Sequence, residues 1–269
     1  MLSRRITAAL LALPLAAGLS FVIPSGSGVF SGRAAGPLFG GVKIARADVS
    51  CGFTTADLET ITAARAQGLD ADLAARKALL MRTIACAKGD AAALQSGLAA
   101  ITVPGADASI RSQLSGKIDD AMTYYDLELA KVQTAGLSGT QQVAQEVLSW
   151  RQSNYDILAA QVANFELYES NQPLFATAND RVTQMQNLVG AIQQAGQNND
   201  LQAAFSNAET LVQTANNENA SARQSLSRLL PPDQSLGLIK ESLSSLSDAY
   251  GKFFDVSTIV QGLLATKEK

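Results

Sequence analysis

The stretch from Gln234 to Ala265, QSLGLIKESLSSLSDAYGKFFDVSTIVQGLLA, decides the fold class. Leu236, Leu243, Tyr250 and Leu264 fall seven or fourteen positions apart, and Ile239, Leu246, Phe253 and Val260 interleave with them. That is the a/d ladder of a helix packed along its length, interrupted only by Ser257. Pro231-Pro232-Asp233 supplies a firm stop and restart before it. At 1.5 Å per residue the helix would run roughly 48 Å. A stripe of that length needs partner helices of similar length to cover it.

The chain supplies them. Asp200 is expected to cap a helix carrying Leu201, Phe205, Ala208, Val212 and Ala215, then Leu226 and Leu229. Its middle, Asn216 to Ala222, is poor in large apolar groups, which predicts loose or wet packing there. Before it, Phe175, Val182, Met185, Val189 and Ile192 mark a helix closed by Gly196. Pro173 is expected to break or kink the preceding helix, which carries Val143, Val147, Trp150, Ile157, Phe165 and Tyr168 and which Ser138-Gly139-Thr140-Gln141 opens in the manner of a capping box. Another amphipathic helix runs from Asp107 to Gly136 through Ile110, Leu114, Ile118, Met122, Tyr125, Leu129 and Val132.

Nearer the N-terminus three shorter helices are predicted. One is capped by Thr54, Thr55 and Asp57, carries Leu58 and Ile61 and is stopped by Gly68. The second runs from Asp70 to about Gly89, and the third from Asp90 through Leu94 and Leu98 to Ile101, before the Pro104-Gly105 turn. No segment alternates with the two-residue period of a half-buried strand. The expected fold is all-α: an elongated antiparallel bundle of long amphipathic helices over residues 107–269, with a small disulfide-stapled helical subdomain at 48–106.

Residues 1–47 read as an export leader. Arg4 and Arg5 precede an apolar run from Ile6 to Val22, and a Gly/Ser/Ala-rich spacer follows. Ala45-Arg46-Ala47 fits a small-x-small cleavage pattern and would start the mature chain at Asp48, although it stands far from the apolar run. Left uncut, the same segment becomes a membrane anchor with a flexible tether. Ser3-Arg4-Arg5 only partly matches twin-arginine export, and Cys51 lacks the surroundings of a lipidated cysteine. The leader holds five basic and no acidic residues, so 16 basic and 24 acidic residues remain from Asp48 onward, a net charge of −8. That balance disfavours nucleic acid and anionic lipid, both of which attract clustered Lys and Arg. Export favours an oxidising compartment, and Cys51 and Cys86 are expected to pair.

The chain contains no histidine. Imidazole bases, Ser-His or Cys-His dyads and His-containing metal sites are therefore excluded. Two cysteines are too few for a four-thiolate metal site. Gly26-Ser27-Gly28 has no strand before it and does not make a phosphate loop, and Asp70-Ala71-Asp72 lacks the glycine and glutamate of a calcium loop. Asp119-Asp120 and Tyr124-Tyr125-Asp126 read as helix surface, apart from Tyr125 in the apolar stripe. Glu146, Glu166 and Glu169 lack the Glu-x-x-His of a carboxylate-bridged metal site. Asn219-Ala220-Ser221 matches a glycosylation sequon inside a predicted helix. No catalytic, cofactor or metal residues are assigned. Trp150, Phe165, Tyr168 and Phe175 form the main aromatic group, either bundle core or the lining of a groove for a partner or an apolar ligand.

Several segments taken together resemble an uncharacterised family of exported helical proteins of candidate-phylum (ultrasmall) bacteria. They are Leu73-Ala74-Ala75-Arg76 through Thr83-Ile84-Ala85-Cys86, Gly139-Thr140-Gln141 through Ser149-Trp150-Arg151, Asn171-Gln172-Pro173-Leu174-Phe175, and Ser235 to Leu243. The resemblance implies an exported all-helical protein and brings no catalytic residues. The Gln/Asn/Ala-rich run from Gln184 to Asn217 is also similar to helical accessory subunits at the tips of type IV secretion pili.

The functional expectation is a non-enzymatic cell-envelope or secreted scaffold or adaptor that binds an envelope protein, or a second copy of itself, through a helix face. The alternatives are a carrier of a small apolar ligand, a pilus or secretion-system accessory subunit, and an enzyme working with carboxylates and tyrosines alone.

Overall fold

The computed structural model describes Cys51, residues 54–196 and residues 198–267. The leader, its cleavage position and the spacer lie outside these residues. Helix accounts for 92% of what is described, with no strand, so the all-α expectation holds. The helices are α1 (Thr55–Gln67), α2 (Leu69–Ala100), α3 (Ala108–Thr134), α4 (Leu137–Trp150), α5 (Asp156–Ala195), α6 (Asn199–Ser227) and α7 (Pro232–Lys267), with a π turn at Arg151–Tyr155 joining α4 to α5. No described helix is long and apolar enough to cross a membrane.

Thr54 caps α1 as its sequence predicts, with Asp57 closing a capping box and Gly68 ending the helix at φ 125°. The second and third predicted helices are instead one. α2 runs through Gly89 because Ile84, Ala87, Ala91 and Leu98 keep a buried stripe on the same face across it. A helical glycine costs about 1 kcal/mol relative to alanine, less than that stripe contributes. Asp70 does not cap; Gly68 holds the N-cap position. Cys51 and Cys86 are joined, with a Cα–Cα distance of 5.7 Å, tying the chain ahead of α1 to the middle of α2. One core takes in Leu80 and Ile84 of α2, Leu114 and Tyr125 of α3, Phe165 of α5 and Ile239 of α7.

Three further expectations are corrected. Ser138 does not cap: α4 starts at Leu137, and the Thr140 hydroxyl donates to the Gly136 carbonyl. Pro173 does not break α5, which is helical from Asp156 to Ala195 and is buried on both sides of the proline by Phe165, Tyr168, Phe175 and Ala178. Packing there outweighs the lost hydrogen bond. α6 is capped by Asn198, whose side chain accepts from Leu201 N–H at 2.8 Å, and not by Asp200.

α5 is shared by two packs. Its first half lies in the core with α2, α3 and the α6–α7 turn, and its second half packs beside the antiparallel hairpin of α6 and α7. The α7 seam keeps one predicted ladder, Ile239, Leu246, Phe253 and Val260, all buried. The other ladder is displaced by one residue, to Ser235, Ser242, Ala249 and Val256, while Leu236, Leu243 and Tyr250 are half-buried flanks. α6 mirrors this with Leu201, Ala208, Ala215 and Ala222. Small side chains on both seams let the backbones approach closely, and the large residues fill the sides. Ser257 is therefore no interruption, because Val256 holds the seam position.

The polar middle of α6 is cross-linked. Asn219 and Gln172 of α5 exchange hydrogen bonds, Asn216 Nδ2 donates to Asn179 Oδ1 at 2.9 Å, and Glu218 accepts from Ser245 of α7 at 2.8 Å. The α6–α7 turn, with Leu229 at φ 50°, is tied to α5 by side-chain amides. Gln161 donates to the carbonyls of Leu229 and Leu230, and Asn164 donates to Pro232 O at 2.7 Å and Ser235 Oγ at 3.0 Å. The Leu229 and Leu230 carbonyls, just past the end of α6, have no helical partner of their own. Asn164→Ala is expected to destabilise the protein by about 2 kcal/mol, since it removes the two hydrogen bonds that its amide gives to Pro232 O and Ser235 Oγ. Urea unfolding measures it, and a loss near zero would mean that water replaces the amide.

Candidate functional site

The π turn organises the most unusual surface of the molecule. In an ordinary α-helix, residues five apart stand about 140° apart around the axis. The wider turn at Arg151–Tyr155 brings Trp150 and Tyr155 to the same partner, Tyr125 of α3, at ring-centroid distances of 5.6 and 6.1 Å. Such turns recur at functional positions. One consequence is a shift of phase: Tyr155 and Leu158 are buried, whereas Ile157, expected on the apolar face, is 43% exposed.

Arg151, within the turn, binds Asp90 of α2 at 3.1 Å, stands 3.7 Å from Asp156 and lies over the Tyr155 ring at 4.9 Å. Asp90 in turn touches the Cys51 sulfur at 3.3 Å, so the disulfide, α2 and the π turn meet at one carboxylate. Burial pushes the Tyr125 and Tyr155 hydroxyls up to about 12, the Arg151 guanidinium opposing it in both. Neither phenol ionises near neutral pH.

On the outward side, Trp150 stacks on Tyr124 at 3.9 Å with 17° between the rings, and both are half-buried. The pair walls a broad open depression of about 580 Å³, completed by Glu128 and Lys131 of α3, by Gln145, Glu146 and Ser149 of α4, and by Ser153 and Asn154 of the π turn. Glu128 is 2% exposed. Its Oε1 accepts from Lys131 at 2.7 Å, and its Oε2 has no hydrogen-bond partner. Lys131 stands 3.8 Å from Glu146, which is half-exposed. Burial, then Glu128 and Glu146, push the Tyr124 hydroxyl up to about 12.

A second polar cluster lies between α5, α6 and the α2–α3 loop. Arg223 of α6 pairs with Asp107 and donates to Ala106 O, and Arg111 donates to Ile101 O. Glu169 of α5 is buried with Oε1 unpartnered, and burial followed by the Asp107 charge pushes its carboxyl up to about 7, against the pull of Arg223 and Arg111. The neighbouring Tyr168 hydroxyl is raised by burial, then by Asp107 and Glu169, against Arg223. A carboxyl raised from 4.5 contributes its full stability below that value and loses it as pH climbs through 7. Glu169→Gln should therefore stabilise the protein at pH 8 by roughly 2 kcal/mol, allowing for water near the group, and leave it unchanged at pH 4. Equal gains at both pH values in urea unfolding would exclude titration as the cause.

The four aromatic residues singled out from sequence do not form one groove. Trp150 belongs to the surface stack, while Phe165, Tyr168 and Phe175 are buried along α5. Tyr124, assigned to helix flank, is the partner of Trp150, and Glu128 was not anticipated. Its signal is its place on the α3 stripe between Tyr125 and Val132. Glu146 and Glu169 belong to different clusters. Asp126 pairs with Lys88, Asp120 with Lys117, and Asp119 accepts from Gln95 at 3.4 Å, as helix surface does. Asn219 of the sequon is half-buried and engaged with Gln172. Cys51, Cys86 and Asp90 have donor atoms within 4.8 Å of one another, but the sulfurs are committed to the disulfide. No family model, curated protein or solved structure matches the chain.

Proposed function

We propose that this protein is a non-enzymatic helical scaffold or adaptor of the cell envelope or the exterior, docking a protein partner through the face around Tyr124 and Trp150. One observation carries the reading: a stacked Tyr–Trp pair stands half-exposed beside a desolvated carboxylate with an unmatched oxygen. Aromatic residues in partly desolvated settings are the common anchors of protein interfaces. The α3–α4 pair and the π turn hold both features on packed helices, so the surface is preorganised.

The absence of histidine supports a binding role over acid–base catalysis. The disulfide and the basic, apolar leader support export. The carrier reading loses its motivation, since the Phe165 ring is sealed in the core and the space beside Trp150 is a shallow depression open to solvent.

A photo-crosslinking amino acid at Ser149 or Ser153, in the producing cell, is expected to give discrete protein adducts that disappear with Trp150→Ala. The same probe at Asp248, exposed on α7, should give none of them. Identical adducts at all three positions, or none at the first two, would refute the reading.

A further inference from the structure

We propose that Glu169 is a pH-responsive latch for the α2–α3 loop, residues 101–107: protonated, it leaves Arg111 holding the loop, and ionised, it draws Arg111 away. The loop is pinned at both ends by guanidinium groups. Arg111 of α3 donates to the Ile101 carbonyl at 3.0 Å, while Arg223 of α6 donates to the Ala106 carbonyl at 2.7 Å and pairs with Asp107. Ile101 and Asp107 are buried, but Thr102, Pro104, Gly105 and Ala106 between them are exposed and Val103 is half-buried. A segment with so little core of its own takes its local stability from those pins.

Both arginines also act on Glu169. This residue of α5 is buried, with Oε1 sealed and without a hydrogen-bond partner. Asp107 and Arg111 face it from the start of α3 and Arg223 faces it from α6, whereas on α5 itself Tyr168 is a neutral phenol beside it and Glu166 stands one turn earlier. Among the described residues no group of α2 or α7 acts on it. A carboxylate in such a place stays ionised only if a cation answers it. Arg223 is committed, because leaving Asp107 would strand a second buried carboxylate. Arg111 gives the loop one hydrogen bond to a neutral carbonyl, and a charged acceptor outcompetes that. A cleft of about 290 Å³ flanks Arg111, so its side chain has room to turn.

The surroundings place the switch point. Burial, then Asp107, push the Glu169 carboxyl up to about 7. The chain has no histidine, the side chain whose ordinary value lies in that range, so a carboxyl takes the role. The loop is held on the acid side and released on the alkaline side.

The test is a pH titration of the purified, disulfide-bonded protein by ¹H–¹⁵N correlation spectra, between about pH 5 and pH 9. The amides of Thr102, Val103, Gly105 and Ala106 are expected to shift along one curve with its midpoint near 7. Corrected for intrinsic rates, they should also exchange with solvent several-fold faster at the alkaline end. Glu169→Gln, which keeps the neutral form, should hold the loop in its acid position throughout. Arg111→Ala should place it in the alkaline position from the start. The α-amino group titrates at about 7.7 to 8, but it is common to all three proteins and cannot produce a difference between them. Loop amides that do not titrate, or that titrate equally in Glu169→Gln, would overturn the latch. A curve lost with Glu169→Gln yet kept with Arg111→Ala would overturn the part given to Arg111. Circular dichroism confirms that each variant is folded.

Discussion

Replacing Cys51 and Cys86 together by serine is expected to lower the melting temperature by roughly 10 °C. The bridge closes a loop with a sequence separation of 35, which on the chain-entropy model stabilises the fold by about 3 to 4 kcal/mol. A domain of this size loses about 2 to 4 °C per kcal/mol. The local structure offers little to compensate. Asp57 is the one buried residue of α1, and Leu58 is 58% exposed. The thermal transition followed by circular dichroism measures the effect, and reductant on the unaltered protein should reproduce it. An unchanged transition would show that the denatured chain is already compact around this loop.

Leu246→Ala is expected to cost about 3 kcal/mol, and Leu243→Ala about 1, although both fall on the apolar face of α7. Leu246 is 3% exposed in the seam with α6, where a truncated side chain leaves a cavity between two backbones held by their other contacts. Leu243 is half-buried on the flank, where solvent and neighbours fill the space. Equal losses in urea unfolding would restore the ladder expected from the heptad pattern and remove the one-residue displacement.

That displacement shows what was legible in this sequence and what was not. Helicity, the antiparallel order and the Ile239-Leu246-Phe253-Val260 ladder are written in apolar spacing. The second ladder is not, because a heptad reading rewards large residues, whereas close helix contact is made by Ser235, Ser242 and Ala249. Gly89 and Pro173 read as punctuation, yet continuous packing on either side overrides their local preferences. The π turn left a trace, the step of five from Trp150 to Tyr155, which a search for steps of three and four passes over.

The candidate site was half visible for a related reason. Trp150 stands out in the sequence, but its partners Tyr124 and Tyr125 come from another helix. Spacing along one helix groups residues by face and says nothing about which face of a neighbour they meet. Glu128 could have been found by asking why a carboxylate sits where a stripe calls for leucine. The amides of Gln161 and Asn164, which fix the α6–α7 turn, carry no sequence signal short of the fold itself.

The manner in which α1 is attached has a consequence for motion. Ion pairs from Asp57 to Arg82 at 2.7 Å and from Arg65 to Asp72 at 3.8 Å hold it on α2, with only Ile61 and Ala64 half-buried between them. Such a helix behaves as a ligand bound to its own protein, supplied at high effective concentration by a covalent link before its first residue and by the chain after its last. Its amides should exchange with solvent through detachment of α1 alone, at a free energy well below that of unfolding the bundle. Cutting the link lowers that local concentration, so α1 would spend more of its time released while the rest of the molecule keeps its packing.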